Sequence, residues 1–586
     1  MTFYEFIKAE GTESNSIDST DSTDSIDSMD PTHSPDRLRN PLRQPLTLLV
    51  ALAFLNAVLN MDAAIPGRPW ESFLQLSPEL LVLTIAMSLR VRRDTRFRPA
   101  LYAPIAAAVI FLALFRLADT LVPMVFNRPF NLYLDAQRLP DLVRLGWMLL
   151  SPAFFAMALA GLALALPSMA WGVVRSLKIL HGGLSATGRK PLLSCLAAGV
   201  IAAGAWSGFR PDDTPAWMGS AALPRLAEEV RAILDLEGIR RRDQAAIETA
   251  IERSRSTPTN LNALNHTPVF LFVIESYGQT VFSDPDHAAR VAPAVQAAEA
   301  GLRAAGFGMC SAYLASPTFG GTSWLAHGTL ASGVRLNSQI RHDLLLGSGL
   351  TPLAEYFNRA GYRTVRAMPG TLWPSPAGKF FRFQRTYTAA DFAYRGPDFA
   401  WAPMPDQYVL SYVYRQEIQH ASDPLLVEFI LVSSHAAFDV HAPYIEDWQA
   451  LGDGSLFHSL PALTFPGAWS DPPKLAKAYS AAVVYEFTVL SEFIRRFLAG
   501  DELVVIMGDH QPCAPVAGTS ASWSVPVHVI SRNPDAIRRF VQRGYTEGLI
   551  PGQAPPHPGM ETFFWNFLED FSEPEPGRGA TLEVGN

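Results

Sequence analysis

The sequence of 586 residues is longer than one ordinary domain and leaves room for two or three domains. Hydrophobic residues make up 48% of it and charged residues 17%, and the apolar excess is concentrated before residue 210. The formal net charge of −8 argues against a nucleic-acid-binding protein, because such a protein presents a basic face to the phosphate backbone.

The chain begins with a polar segment built from Ser, Asp and Thr over residues 9–36. This composition cannot bury enough apolar surface to offset the entropy of ordering, so we predict a disordered cytoplasmic tail over residues 1–40. The segment also lacks the apolar stretch of a cleavable signal peptide. A second flexible tail is predicted over residues 571–586.

Five apolar segments follow and predict a five-helix transmembrane domain over residues 41–210. A helix crosses the hydrocarbon with about 20 apolar residues, and about 17 is the lower limit. The first, third and fourth segments meet this length, whereas the second contains Pro78 and Glu79 and the fifth is short. The segments are Pro45–Met61, Trp70–Leu89, Ala100–Leu117, Leu145–Val173 and Pro191–Trp206.

Basic residues flank these segments on alternate sides, and basic residues prefer the cytoplasm. The pattern requires a cytoplasmic N-terminus and an odd number of spans, so everything after Trp206 is placed outside. We therefore predict a multi-pass protein of the inner (plasma) membrane with a periplasmic or extracellular C-terminal part. The basic residues are Arg37, Arg39, Arg43, Arg90, Arg92, Arg93, Arg96, Arg98, Arg175, Lys178, Arg189 and Lys190.

Two further features lie on the predicted outer side. Arg116 and Asp119 stand at the outer end of the third segment, where ionisable groups are costly. They either meet a lipid headgroup or take part in an ion pair within the protein. Residues 211–262 carry apolar side chains at helical spacing between Leu226 and Leu234, which predicts an amphipathic linker helix.

The remainder, residues 263–570, alternates continuous apolar runs, as expected of strands buried on both faces, with helical stretches. This alternation predicts an α/β sandwich with a mainly parallel central sheet, in which ligands bind beyond the carboxyl ends of the strands. The strand-like runs are Val269–Ile274, Leu425–Val432 and Leu503–Met507, and the helical stretches are Ala289–Ala305, Thr351–Gly361 and Lys474–Ala499.

Three polar motifs fall at that edge of the predicted sheet. Glu275 follows the first strand, Asp509 and His510 follow the late strand, and a glycine-containing loop with Thr322 leads into the helix-like stretch Ser323–Ser332. A hydroxyl, two carboxylates and an imidazole suit a divalent metal ion: Mn²⁺ or Zn²⁺, with Mg²⁺ as a further option.

A metal-bound Thr322 would be an activated nucleophile, and the adjoining helix N-terminus would supply N–H donors to phosphoryl oxygens. Each motif also has a simpler interpretation. Glu275 can be a solvated loop residue, Thr322 or Ser323 can be only a helix cap, and Asp509 with His510 can be only a turn. The presence of all three motifs at strand ends favours the metal site.

The three cysteines follow no metal-finger spacing. Cys195 lies in an apolar run, so only Cys310 and Cys513 could pair, and two free thiols are the simpler interpretation.

Residues 266–535 resemble the sulfatase-like branch of the alkaline-phosphatase superfamily. Its membrane-anchored lipoteichoic acid synthases and phosphoglycerol transferases are the nearest match, with the phosphoethanolamine transferases more distant. The resemblance is carried by four motifs: Glu275-Ser276-Tyr277, Gly320-Gly321-Thr322, Ser434-His435-Ala436-Ala437-Phe438 and Gly508-Asp509-His510.

The resemblance implies one divalent metal ion held by Glu275, Thr322, Asp509 and His510. It also implies that His435 contacts the phosphoryl group or protonates the leaving oxygen. The nearby His441 is the alternative to His435, because Ala-Ala follows His435 where the family usually has Pro.

This sequence differs more clearly from the family in the motif that binds the substrate phosphate. The family's Trp-Asn-Arg stretch corresponds to Trp373 followed by no Arg, and Lys379 or Arg382 is the candidate replacement. The nucleophile loop lacks the Cys/Ser-x-Pro-x-Arg signature, which argues against a formylglycine sulfatase.

These observations predict an enzyme that moves a phosphoryl headgroup, phosphoglycerol or phosphoethanolamine, through a phosphothreonine at Thr322. The donor would be a membrane phospholipid and the acceptor a glycan or glycolipid. One alternative is a phosphodiesterase- or phosphatase-type hydrolase of the same superfamily, and another is a degenerate, non-catalytic membrane binding protein. A transporter is disfavoured because five short spans offer no obvious pathway.

Overall fold

The computed structural model of the chain describes residues 43–65, 70–90, 99–140, 143, 152–187, 218–219, 221–372, 377–552 and 554–573. Among these residues the helices, numbered α1 to α18, are Arg43–Leu59, Pro78–Arg90, Tyr102–Phe126, Leu132–Ala136, Pro152–Thr187, Ala222–Leu234, Leu236–Ser256, Thr280–Ser283, Pro285–Ala304, Ser323–Ser332, Gln339–Leu346, Leu353–Arg359, Gly378–Phe381, Asp406–Val413, Pro472–Phe497, Ala514–Ala517, Pro534–Gln542 and Glu561–Phe571. The strands β1 to β10 are Val269–Ile274, Gly308–Ala315, Arg363–Met368, Arg385–Thr388, Leu425–Leu431, Val440–His441, Leu463–Thr464, Leu503–Gly508, Ser524–Ser531 and Thr546–Glu547.

Among the described residues, the helices α3 and α5 are long and apolar enough to cross a membrane. Helix α5 presents large apolar side chains outward, with Met157 64% and Leu164 72% exposed. Contact of such a surface with water is costly, at about 25 cal/mol per Å², whereas lipid would cover it without that cost. The shorter helices α1 and α2 are also apolar.

The predicted five-helix bundle is therefore only partly seen. The second predicted segment is not one helix: a 3-10 turn, Trp70–Leu74, is followed by α2, which begins at Pro78 because proline suits a first helical position. Glu79 is buried and accepts hydrogen bonds from the backbone N–H groups of Ala222 (2.5 Å) and Leu223 (3.2 Å) at the start of α6. The fifth segment, Pro191–Trp206, lies outside the described residues, as do the predicted tail 1–40 and Cys195.

Arg116 forms an ion pair within the protein, which is one of the two alternatives that its position in the sequence left open. Its Nε lies 2.9 Å from Oδ1 of Asp62, and both side chains are buried. Asp119 pairs instead with Arg225 of α6 at 3.3 Å. The contact with Asp119 attaches the linker helix to the C-terminal half of α3. The predicted linker consists of two helices, α6 and α7, separated at Asp235.

The central sheet has the strand order β10-β2-β9-β8-β1-β5-β3-β4. The five strands from β8 to β4 run parallel, whereas β2, β9 and β10 pair antiparallel at one side. The largely parallel α/β sheet predicted from the sequence is confirmed.

The sheet is covered on both faces because its central strands are apolar at every position. In β1 the side chains of Phe270, Phe272 and Ile274 enter one hydrophobic cluster, and those of Val269 and Leu271 enter the other. The first cluster is completed by helices α9 and α15 and the second by α10 and α18. Successive residues of a strand point to opposite faces, so a continuous apolar run requires two layers of helix.

The two cysteines within the described residues, Cys310 and Cys513, are both buried and free. This confirms the interpretation as two separate thiols.

Candidate functional site

The carboxyl ends of two neighbouring strands bring three polar side chains together. Strand β1 pairs in parallel with β8, and Ile274 lies opposite Gly508 in the register. The next residues, Glu275 and Asp509, are consequently side by side, with His510 adjacent. The ligand atoms of these three residues lie within 4.8 Å of one another, and all three side chains are buried.

The close approach of the two strand ends depends on a glycine. A Cβ atom on Gly508 would lie 1.7 Å from the carbonyl oxygen of Tyr277, a distance that no side chain tolerates. Ser276 takes a left-handed conformation with φ of 59°, and its N–H donates to Oδ1 of Asp509 at 2.8 Å. The Glu-Ser-Tyr and Gly-Asp-His motifs are therefore shaped to fit each other.

The three side chains of this cluster shift one another's pKa values. Burial and the neighbouring Glu275 carboxylate raise the pKa of Asp509 well above its ordinary value. For Glu275 burial acts in the same direction, but the hydrogen bond and charge of His510 hold its pKa well below the usual range. For His510 burial lowers the pKa, and the charges of Asp509 and Glu275 more than offset this and raise it to about 9.

These three residues fit a divalent cation. Oδ2 of Asp509 is buried without a hydrogen-bond donor among the described residues. Nδ1 of His510 donates to the Gln511 carbonyl oxygen at 2.7 Å, so Nε2, which faces Glu275 at 3.2 Å, is the nitrogen that would lose its proton and bind a metal ion. Two carboxylates and a neutral imidazole would compensate the charge of a dipositive ion. The ion would take the place of the protons that these side chains share without it.

The hydroxyl that meets this cluster belongs to Ser323 and not to Thr322. Oγ of Ser323 lies 2.9 Å and 3.0 Å from the two carboxylate oxygens of Glu275, and 3.1 Å from Nε2 of His510. The Thr322 hydroxyl is directed elsewhere, towards the hydroxyl of Thr318 and the carbonyl oxygen of Gly321 at 2.6 Å. The hydroxyl that contacts the cluster thus belongs to the residue after the one that the family resemblance indicates.

Ser323 is the first residue of the ten-residue helix α10, whose N–H groups are directed at the site. The preceding loop packs on the end of helix α3, since a Cβ on Gly320 would lie 2.9 Å from the Val125 carbonyl oxygen. Gly320 and Gly321 have φ of 65° and 146°, values that other residues rarely adopt.

His435 is placed at the site, and His441 is not. Nε2 of His435 lies 4.0 Å from Glu275, and its ring stacks on Trp401 with centroids 3.8 Å apart and planes 12° from parallel. His441 is buried elsewhere and its Nε2 bonds to the Ala478 carbonyl oxygen at 3.0 Å. Trp401 was missed because no local pattern links it to a histidine that is distant in sequence.

A cavity of about 610 Å³ adjoins the cluster, and Lys379 and His327 contribute to its lining. Arg382, the alternative to Lys379, instead pairs with Glu355 at 3.7 Å. Trp373 lies outside the described residues. His327 follows Ser323 by one helical turn, is buried, and places Nε2 3.9 Å from Oδ2 of Asp509. Its position was predictable from the helical spacing, but only once Ser323 was known to face Glu275, Asp509 and His510.

A pair of buried carboxyl groups supports the loop that carries His435. Asp406 accepts hydrogen bonds from the backbone N–H groups of Val432 (2.9 Å) and Ser433 (2.6 Å). Glu486 lies against Asp406, and burial with the neighbouring charge raises the pKa of Glu486 well above its ordinary value. Glu486 therefore keeps its proton and donates it to Asp406.

We expect Glu486→Gln to remove one component of the pH dependence of stability. The folded state holds a proton on Glu486 that the unfolded state loses above its ordinary pKa of 4.5. Wild-type stability should therefore fall as pH rises above 4.5, by up to about 1.4 kcal/mol per pH unit, until the folded pKa is passed.

The measurement is a set of thermal melts of both proteins between pH 5 and 9. The difference should grow in favour of Glu486→Gln as pH rises, because the amide donates without a titratable proton. Parallel curves for the two proteins would contradict the shared proton. Glu492→Gln, a partly exposed carboxylate of the same helix that pairs with Arg496, is the matched control.

No model of a protein family matches the sequence, and no curated protein matches it significantly. Among solved structures, 31 chains match. One is the lipoteichoic acid synthase LtaP from Listeria monocytogenes, 14% identical over 52% of this chain and 72% of that chain, with a TM-score of 0.35. Another is the phosphoglycerol transferase GacH from Streptococcus pyogenes in complex with sn-glycerol-1-phosphate, 11% identical over 56% and 92%, with a TM-score of 0.33.

The C-terminal periplasmic domain of EcEptC from Escherichia coli also matches, 14% identical over 47% of this chain and 72% of that domain, with a TM-score of 0.31. That domain has also been solved in complex with Zn. Lipoteichoic acid synthases and phosphoglycerol transferases are the types of protein that the motifs resemble. At these identities and TM-scores, the function has to be inferred from the residues of the site itself.

Proposed function

We propose that this chain is a membrane-anchored, metal-dependent enzyme that transfers a phosphoryl headgroup, phosphoglycerol or phosphoethanolamine, from a membrane phospholipid to a glycan or glycolipid. The observation that carries the proposal is the position of the Ser323 hydroxyl. It lies at the N-terminus of a buried helix and within 3.1 Å of both Glu275 and His510. This combination of nucleophile, anion-binding backbone and metal ligands suits phosphoryl transfer.

Glu275, Asp509 and His510 would hold one divalent ion, Mn²⁺ or Zn²⁺ with Mg²⁺ as a further option. Such an ion lowers the pKa of a neighbouring hydroxyl and offsets the charge of a phosphoryl group. We place the nucleophile at Ser323 instead of Thr322. Thr322, with φ of 61°, forms the boundary between the glycine loop and the helix.

In the first step the oxygen of Ser323 bonds to the phosphorus, and the bond from phosphorus to the diacylglycerol oxygen breaks. The serine proton leaves to water, and the departing oxygen takes a proton from His435. In the second step an acceptor hydroxyl attacks the phosphoserine, passes its proton to His435 and releases Ser323, which regains a proton from water. Trp401 fixes the plane of the His435 ring through both steps.

A membrane anchor suits a donor lipid that stays in the bilayer. The proposed layout is a transmembrane domain over residues 41–210, a linker over 211–262 and an extracytoplasmic catalytic domain over 263–570. The exposed apolar surface of α5 and the packing of the catalytic loops on the end of α3 support it. The basic residues at the opposite ends of the helices support a cytoplasmic location for those ends.

Two alternatives differ from the proposal in what happens to the headgroup. A hydrolase would pass it to water, and a degenerate binding protein would leave the lipid intact. The buried Glu275-Asp509-His510 cluster and its hydroxyl disfavour degeneration, because an unused cluster of buried charges carries a cost in stability.

The test uses the full chain in nanodiscs that contain a phospholipid labelled in its headgroup, with a glucosylated diacylglycerol as the probe acceptor. We expect the label to move into the glycolipid while unlabelled diacylglycerol accumulates. Label recovered wholly in soluble small molecules would instead identify a hydrolase. Unchanged lipid in the presence of Mn²⁺ or Zn²⁺ would refute the enzymatic proposal.

A further inference from the structure

The glycine loop that leads into Ser323, residues 320–322, is held between two segments that are far apart in the chain. On one side lies the last turn of the apolar helix α3, since a Cβ atom on Gly321 would lie 3.1 Å from the Phe126 ring. On the other side lies the segment after the Gly-Asp-His motif, where the Gln511 carbonyl oxygen accepts from the N–H group of Gly320 at 3.1 Å. The position of the loop therefore depends on both segments.

The last turn of α3 is also packed into the α/β domain. Val125 packs against the hydrophobic cluster on one face of the central sheet, and so does Val516 of the short helix α16. Helix α16 in turn packs on α3. The turn ends in a defined way, because Asn127 takes a left-handed conformation with φ of 45° and its N–H group donates to the Pro123 carbonyl oxygen at 3.0 Å. The end of the apolar helix is thus a fixed neighbour of the glycine loop.

The ring of Phe126 is itself held in place. The Arg128 guanidinium lies over it, 5.6 Å from the ring centroid. Arg128 pairs with Asp135 at 2.6 Å, and the same carboxylate accepts from the N–H group of Asn131 at 2.8 Å. These contacts keep the ring against Gly321.

The glycine loop needs such support because its backbone conformation is unusual. Three successive residues have a positive φ, of 65° at Gly320, 146° at Gly321 and 61° at Thr322. A left-handed conformation is unfavourable for threonine, whose side chain is branched at Cβ, so it persists only where the surrounding structure holds it. If the loop relaxed, the backbone that leads into α10 would turn and the Ser323 hydroxyl would leave the buried cluster.

We propose that Phe126 is a positioning residue for the nucleophile, and that the apolar helix α3 thereby takes part in the reaction. This inference rests on the proposed function and goes beyond it, since it makes the contact of α3 with the glycine loop a condition for the first chemical step. Phe126 acts through the backbone of Gly321. Its removal should therefore slow the reaction without weakening the binding of substrate or metal ion.

The test measures the first half-reaction of the full chain, as phosphoenzyme formed without an acceptor and detected by intact mass. One substrate is the lipid of nanodiscs that contain phosphatidylglycerol and phosphatidylethanolamine. The other is the soluble p-nitrophenyl ester of glycerol phosphate, from which the Ser323 oxygen takes the phosphorus, its proton leaves to water and p-nitrophenolate departs.

Phe126→Ala should lower the rate at saturating substrate by about 10- to 100-fold, because a small misplacement of a reacting atom costs this much. The loss should be the same for both substrates, since the residue acts on the nucleophile. The KM for the soluble ester and the affinity for Mn²⁺ should stay within a factor of about two.

Three further variants accompany it. Phe126→Leu keeps an apolar side chain against Gly321 and should recover most of the rate. Phe111→Ala removes the same ring from a position on the same helix where the side chain is 45% exposed, and should change nothing. Gly321→Ala should be slow, because the added methyl group meets the Phe126 ring at 3.1 Å, and should cost less when Phe126→Ala is also present.

An unchanged rate in Phe126→Ala would overturn the positioning role. A loss confined to the lipid substrate would assign the ring to lipid access instead, and a parallel loss of Mn²⁺ affinity would reveal a general loss of structure; both overturn it as well. Equal losses in Phe126→Ala and Phe126→Leu, or strictly additive losses for Phe126→Ala and Gly321→Ala, would contradict the contact on which the inference depends.

All of these results leave the proposed function intact, because wild type still forms phosphoenzyme. Absence of phosphoenzyme in wild type with either substrate would remove the proposed function and this inference together.

Discussion

Ser323→Ala should abolish phosphoenzyme formation and lower turnover by about 10⁴-fold or more, as removal of a nucleophile does. Its hydroxyl is the one that contacts both Glu275 and His510 among the described side chains of the cluster. Alanine is a good helix former at the first position of α10, so the fold should be retained. The measurement is incorporation of labelled headgroup into the protein, followed by identification of the modified residue by mass spectrometry.

Thr322→Ala is the decisive comparison, because it removes the neighbouring hydroxyl and leaves Ser323 in place. We expect this variant to keep forming phosphoenzyme, with the label on Ser323. The opposite result, in which Thr322→Ala loses the label and Ser323→Ala keeps it, would return the nucleophile to the position that the family resemblance indicates. It would also show that the loop turns when substrate binds.

Asp509→Asn should lose the divalent ion while the protein stays folded. The backbone N–H groups of Ser276 and His510 donate to Oδ1 of Asp509, and an asparagine oxygen can accept both bonds. The amide nitrogen would then occupy the position of Oδ2, which is a poor ligand for a cation. We expect affinity for Mn²⁺ or Zn²⁺ to fall by about 100-fold or more, measured by calorimetry and by metal analysis of the purified full chain.

The melting temperature of the metal-free proteins gives a second readout. Without metal, Asp509→Asn should be at least as stable as wild type, because it removes a buried carboxyl group that Glu275 repels. Asp535→Asn, on an exposed helix, serves as the matched control and should change neither metal content nor melting temperature. Equal metal content in Asp509→Asn and wild type would eliminate the site.

The ends of the central strands were predictable because parallel strands carry their polar residues to one edge. Glu275 and Asp509 follow apolar runs that a sheet must bury, so their meeting needs only that the two strands be neighbours. That adjacency, and the register of Ile274 with Gly508, could not be derived from the sequence. The family resemblance supplied it.

The choice between Thr322 and Ser323 could not be made from sequence. Successive residues at the start of a helix point about 100° apart, so only one of two adjacent hydroxyls faces the cluster. The direction was set by Gly320 and Gly321, whose positive φ values depend on the contact with the end of α3. This is a tertiary contact between segments far apart in the chain.

The apolar segments were judged by length and composition, and these criteria fail where a segment is interrupted. Pro78 and Glu79 interrupt the second apolar segment in the sequence, but the sequence does not indicate what Glu79 binds. Its carboxylate caps the linker helix by accepting from Ala222 and Leu223, two residues more than a hundred positions later. A charged residue in an apolar segment can therefore be a cap for a helix that lies far away in the sequence.

The seating of the glycine loop on Val125 has a mechanical consequence. If the hydrocarbon ends where α3 ends, the proposed nucleophile Ser323 lies at a fixed height above the lipid plane. One extra helical turn in α3 would raise it by about 5 Å, which is more than a single headgroup bond can bridge. The acceptor hydroxyl must then lie at the same height, so only hydroxyl groups held close to the bilayer can react.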